Sequence, residues 1–186
     1  MDLEKRRREK ANVNRLKHQN MFDELTNDSD NEADEVNQIG VGEKLTGECA
    51  MRFNVADVAK PLASAVKVTE ANNVVVLHPT EGKSFILNLD TNERIKIRKE
   101  KGTYVFDVQY TECDEVGTVT LDSGASVSVW PKSLLPSVKM EPKKEGLRMV
   151  AANGTPIKNY GQKLIKFRGT AMQEADGLDQ VFKGLA

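Results

Sequence analysis

The sequence predicts a mainly β domain with one short helix, preceded by a charged helical segment and a disordered acidic linker. Three observations carry this expectation. From Met51 onward, β-branched and aromatic residues fall in short runs separated by turn signals such as "DTNE" and "ANGT". Residues 1–25 contain good helix formers and no Gly or Pro, with only a thin apolar stripe through Leu3, Val13, Leu16, Met21, Phe22 and Leu25. Between them, residues 26–48 have almost no apolar content and cannot offset their ordering entropy.

Composition bounds the size and the partners. A chain of 186 residues with 39% hydrophobic and 30% charged side chains holds one domain of ordinary size plus tails. With 27 basic and 28 acidic side chains, the net charge of -1 gives no whole-molecule attraction for nucleic acid. Charge is nevertheless segregated: residues 1–21 hold seven Lys/Arg against three acids, and residues 22–48 hold nine acids against Lys44 alone. Two cysteines, Cys49 and Cys113, and two histidines are too few for a disulfide framework or a zinc set, so neither a metal nor a cofactor is expected. No apolar run approaches the ~20 residues that cross a bilayer, and the N-terminus is charged where a signal peptide needs an apolar core. A soluble intracellular chain, cytoplasmic or nuclear, with free cysteines and no membrane partner is the expectation.

The elements follow in order. "RFNVADV" alternates as a strand up to Lys60-Pro61, where proline stops a ladder. "LASAVKVTEAN" has near-helical apolar spacing and reads as a helix within 63–72. "NVVVLH" is a β-branched run, "SFILNL" and "RIKIR" flank "DTNE" as a hairpin, and "TYVFDVQY" alternates along its whole length. "VGTVTL" leads into the acidic stretch "DSGAS", and "SVSVW" leaves it before Pro131. "LRMVAANGTPIKNYGQKLIKFRG" reads as strand, Asn153-Gly154 turn and strand. The tail 171–186 is a weak helical candidate interrupted by Gly177.

Asp122, at the end of an apolar strand, is the candidate catalytic residue. Hydrolysis by two carboxylates and water needs an acid held in a rigid turn close to a second acid, so that the pair shares one proton. Gly124 allows the backbone to turn and approach a symmetry mate, Ser123 offers a hydroxyl to brace the turn, and Ala125 is too small to obstruct the contact. The four letters alone fit a surface β-turn better, since Asp and Gly are favoured there for turn reasons.

"LDSGASVSVWP" followed by "VAANGTPIKNYGQKLIKF" resembles the retropepsin-like aspartic protease segment of retroviral-type and copia-like retrotransposon polyproteins. There an Asp-Ser-Gly-Ala-Ser loop precedes a hairpin of the form V-A-N-G-x-x-I-x-x-x-G. The resemblance spans residues 116–169. It implies a small closed, barrel-like β domain over 51–170 and an aspartic endopeptidase of the polyprotein-processing type. It makes Asp122 catalytic, with Ser123, Gly124 and Ala125 shaping its loop and Asn153 and Gly154 on a flap over a polypeptide substrate.

The stretch "MRFNVADVAKPLASAVKVTEANNVVVLHP" looks like the other half of that family: a strand, a proline-bounded segment passing beneath the acidic loop, and a helix. It departs at the glycine that most retropepsins place in this segment, where residues 63–65 read Ala-Ser-Ala. The order is inverted as well, because the helix-bearing half (51–110) precedes the Asp-Ser-Gly and flap half (115–170). A circular permutation and a fragment of tandem copies both account for that order.

A second acid within the chain is sought in "LDTNE", but Asn92 stands where a glycine is needed, and Asp90 is more economically part of a hairpin turn. One usable acid per chain implies a homodimer. Two rival functions stand beside the protease: a catalytically silent remnant acting as a β-fold binding module, and a nucleic-acid-associated protein acting through "EKRRREK". The last is disfavoured against a solvated basic helix, for want of aromatic stacking residues and a basic fold. Trp130 is expected as a core anchor, His78 as a strand-end surface residue, and Cys113, beside Asp114 and Glu115, as a poor nucleophile.

Overall fold

The computed structural model describes residues 39, 43–142, 145–151 and 153–172. The expected N-terminal helix, most of the acidic linker and nearly all of the tail lie outside these residues. The described chain is mainly β, with strands β1 (Cys49–Ala56), β2 (Leu62–Ser64), β3 (Asn73–Val76), β4 (Ser84–Asn88), β5 (Arg94–Glu100), β6 (Thr103–Tyr110), β7 (Val116–Asp122), β8 (Val129–Pro131), β9 (Met149–Val150), β10 (Pro156–Ile157) and β11 (Asn159–Gly169). A six-residue helix, α1 (Ala65–Glu70), follows β2 directly.

Six strands close into a barrel in the order β11-β1-β8-β2-β7-β6, and β6 pairs back onto β11 through Phe167↔Tyr110 to Gly169↔Val108. The β1/β11 ladder is the longest seam, from Cys49↔Phe167 to Ala56↔Asn159, with an irregularity after Val55. Two pairings are parallel, β1 with β8 and β2 with β7. Beyond β6 the sheet continues outward through β5, β4 and β3, and β9 and β10 form a separate two-stranded ribbon. Strands from both expected halves therefore interleave in one barrel, so neither half could bury its own apolar face alone.

Alternation along the strands sets the core. Phe53, Phe106, Val108, Tyr110, Val119, Trp130 and Ile165 are essentially buried, with Trp130 held between Phe53 (ring centroids 5.0 Å apart) and Tyr110 (5.7 Å, edge-on). Gly117 is required by this packing, because a Cβ there would lie 2.7 Å from Cε2 of Tyr110. On the barrel flank, Arg98 grips Asp107 through Nε and Nη2 at 2.7 and 2.9 Å and also contacts Glu100. Thr118 donates to the same Asp107 carboxylate. The ion pair lifts the Arg98 guanidinium above its ordinary value.

Several boundaries differ from the sequence expectation. Barrel pairing includes residues before Met51: Thr46 N–H donates to Gly169 O at 2.9 Å, Leu45 bridges Thr170, and Cys49 already lies in β1. Leu45 and Thr46, placed in the linker by the sequence, pair with the end of β11 and the residue after it. Ala63 and Ser64, expected within the helix, form a strand with Leu62 because their backbone pairs with β7. Of "SVSVW" only Val129 and Trp130 are strand, and the preceding residues stay in the acidic loop.

Candidate active site at the end of β7

Asp122 is the last residue of β7 and is half-buried. Beneath it β2 runs parallel, pairing Leu62 with Thr120, Ala63 with Leu121 and Ser64 with Asp122. Pro61 suits the entry to β2, since only its carbonyl is used, accepting from Thr120 N–H at 3.0 Å. Asp122 Oδ1 accepts the Gly124 N–H at 2.7 Å, an Asx-type closure of the loop. A Cβ on Gly124 would sit 3.3 Å from that oxygen. Gly124 does not have positive φ, so its role is to leave room beside the carboxylate rather than to supply a left-handed turn.

Ser123 and Gly124 are exposed, and the Ser123 hydroxyl makes no hydrogen bond among the described residues. The expected brace comes from elsewhere. Ser64, fully buried, donates its hydroxyl to Ala125 O at 2.6 Å. Its backbone N–H donates to Ser128 Oγ at 3.0 Å, and its hydroxyl also accepts the Lys67 N–H at 3.3 Å, capping α1. Ser128 is buried in turn, and its carbonyl accepts from both Asn54 N–H (2.9 Å) and Asn54 Nδ2 (3.2 Å). Gln162 Nε2 completes the chain by donating to Asn54 Oδ1 at 3.1 Å. A hydrogen-bonded polar path thus runs from Gln162 on β11 through Asn54 on β1 and Ser128, just before β8, to Ser64 at the underside of the acidic loop. Sequence reasoning missed it. The one available signal was the hydroxyl at Ser64, in the segment where the resembled family carries glycine.

A small apolar cluster flanks this path: Ala56, Leu62, Val129 and Met149, with Ala125, Val127 and Ile157 packed against it. It brings three expected elements together, namely the acidic loop, the segment passing beneath it and the root of the β9/β10 hairpin. The hairpin turns where expected. Gly154, at φ 85°, donates to Ala151 O at 2.8 Å, and Asn153 Oδ1 accepts from Thr155 N–H at 3.0 Å. Asn153 and Gly154 are exposed, and among the described residues neither bonds to the Asp122 loop.

The remaining candidates fall as follows. Asp90 belongs to the β4–β5 turn, where Asn88 Oδ1 accepts the Asp90 and Thr91 N–H groups and Asn72 Nδ2 donates to the Asp90 carboxylate. Val66 is 46% exposed, because the chain leaves the barrel as α1 directly after Ser64. Trp130 is fully buried and donates Nε1–H to Leu134 O at 2.9 Å. His78 is half-buried, with Nδ1 accepting from Thr80 N–H, and Cys113 is exposed. A cleft lined by His78, Arg98, Lys99 and Lys101 lies between the β3–β4 loop and the β5–β6 turn, and includes no residue of the acidic loop. Among the described residues no group of three or more His, Cys, Asp or Glu could hold a metal ion, and no helix is long and apolar enough to cross a membrane.

The class of protein that the fold and this loop define is a closed β-barrel carrying an exposed acidic loop over a buried polar support. Comparison with protein-family models, curated proteins and solved structures found no match to this chain.

Proposed function

We infer that the chain is an aspartic endopeptidase of the retropepsin-like, polyprotein-processing type, active as a homodimer in which two copies of Asp122 meet across a two-fold axis. The observation that carries this reading is the pairing of β2 beneath β7, which sets an Asp-Ser-Gly-Ala loop at the end of a barrel strand with its carboxylate closed onto Gly124. Exposed Ser123, Gly124 and Val66 on that side leave a surface for a second copy. On this reading the inverted halves are a permutation of one domain, supported by β2 and β7 pairing within a single chain. The β9/β10 hairpin, rooted in the same apolar cluster as the loop, is the flap over a polypeptide substrate.

In the dimer the two carboxylates lie about 3 Å apart and share one proton, since both cannot ionise at that distance. The ionised one takes a proton from water as the water oxygen attacks the scissile carbonyl. The protonated one hydrogen-bonds the carbonyl oxygen. Collapse of the tetrahedral adduct delivers a proton to the amide nitrogen as the C–N bond breaks.

Asp122→Asn keeps the shape and removes the base. Cleavage of a polyprotein-derived peptide library between about pH 4 and 7 is expected to peak in mild acid, to require Asp122 and to fall on dilution below the dimer constant. Activity persisting in Asp122→Asn, or independent of concentration, overturns the mechanism. A wild-type dimer inactive over that range favours the silent binding module, the reading that the inverted order also permits.

A further inference from the structure

We propose that Ser64 is a positioning residue that holds the Asp122 loop in register through its hydroxyl, using buried Ser128 and Asn54, with half-buried Gln162 behind them, as a rigid base. Four observations converge on this one side chain. Its backbone lies directly opposite Asp122 in the parallel β2/β7 ladder. Its hydroxyl donates to Ala125 O at 2.6 Å, three residues past the carboxylate. The same oxygen caps α1 through Lys67 N–H, so the loop and the helix are tied to one atom. It has no solvent exposure, and its backbone N–H is itself held by Ser128 Oγ.

These contacts give the loop what its own residues lack. Ser123 and Gly124 are exposed, and the loop's internal closure is the single Gly124 N–H to Asp122 bond. Without the Ser64 hydroxyl, Ala125 O would lose its anchor. The segment 123–126 would then pivot about the end of β7, and Asp122 would move with it. A buried, fully bonded hydroxyl network is rigid because each unmade bond carries a desolvation cost. Asn54 on β1 and Ser128, the residue before β8, extend that rigidity to the neighbouring wall.

The catalytic consequence rests on the aspartic-protease reading, while the structural one does not, and the test separates them. Backbone 15N order parameters of residues 123–126 would be measured in wild type, Ser64→Ala and Ser128→Ala, each first shown to unfold cooperatively. Lys67→Gly serves as the control that weakens α1 but leaves the Ser64 hydroxyl on Ala125. Wild type and Lys67→Gly are expected near ~0.85 in this segment, and Ser64→Ala below ~0.6, with β1 and β11 unchanged. Unchanged order parameters in Ser64→Ala overturn the proposal whether or not the protein cleaves anything. If wild type cleaves peptides, Ser64→Ala is expected to lower kcat on the order of 10²-fold with KM nearly constant. A loosened loop with unaltered kcat would likewise overturn the positioning role. If wild type is inactive, the protease reading fails and the order parameters alone decide the role of Ser64.

Discussion

The barrel contains two apolar clusters that differ in kind. The larger is aromatic and sealed, with Phe53, Tyr110, Phe106, Trp130 and Phe167 packed in tilted and edge-on contacts. The smaller is aliphatic and partly open, built on Ala56, Leu62, Val129 and Met149, with half-buried Ala125, Val127 and Ile157 around it. The same strands feed both: Ala63 and Trp130 face the first, and their neighbours Leu62 and Val129 face the second. A side-chain period of two lets one strand stabilise the fold on one face and support a site on the other. The division teaches that stability and site geometry are separable here, although their residues are adjacent in sequence.

Three substitutions test that separation, the first with the largest expected effect. Trp130→Ala should cost about 3–5 kcal/mol, from lost burial and the cavity left between Phe53 and Tyr110. It would be read as a fall in the urea midpoint, with the loss spread over the whole barrel. Leu62→Ala should cost about 2 kcal/mol, the low end for a buried leucine, because this cluster borders solvent and can relax. Its distinguishing sign is faster hydrogen exchange in the β9/β10 hairpin than in β11. Equal acceleration in both would mean that the two clusters act as one.

The smallest effect concerns Lys163, a buried lysine of β11 whose Nζ donates to Leu134 O (3.1 Å) and Leu135 O (2.7 Å), with no carboxylate partner among the described residues. Burial holds its pKa below the usual 10.5. Between that lowered value and 10.5 the unfolded chain binds more protons than the folded one, so the Lys163 contribution to stability rises with pH across this window. Below the lowered value its destabilising contribution is constant. Denaturant titrations at increasing pH should show wild type gaining on Lys163→Met as pH approaches 10.5. Parallel profiles would show that the ammonium is solvated.

Much of this was legible locally. Strict alternation in "TYVFDVQY" marked β6 over 103–110, and the β-branched run at Asn73 and the turn at 89–93 marked β3 to β5. Asp122 was readable as a strand-end acid, and Asn153-Gly154 as a turn. Where local reading failed, a long-range pairing had won. Leu62–Ser64 carry helical spacing but become a strand because β7 offers their backbone a ladder. Ser128, a polar residue of "SVSVW", is buried where Ser64 and Asn54 bond to it.

The sequence by itself determined most of the strands, such as β3 to β6, because side-chain alternation and turn chemistry act over a few residues. It also placed an acid and a glycine at the end of β7. Only the tertiary structure decided that β11 returns to β6 to close the barrel and that β2 inserts between β7 and β8. It alone decided that Ser64, rather than Ser123, braces the acidic loop. Ser64 and Ala125 are 61 positions apart, and a hydrogen bond at that separation leaves no periodic trace in the chain, because it depends on closing the barrel first.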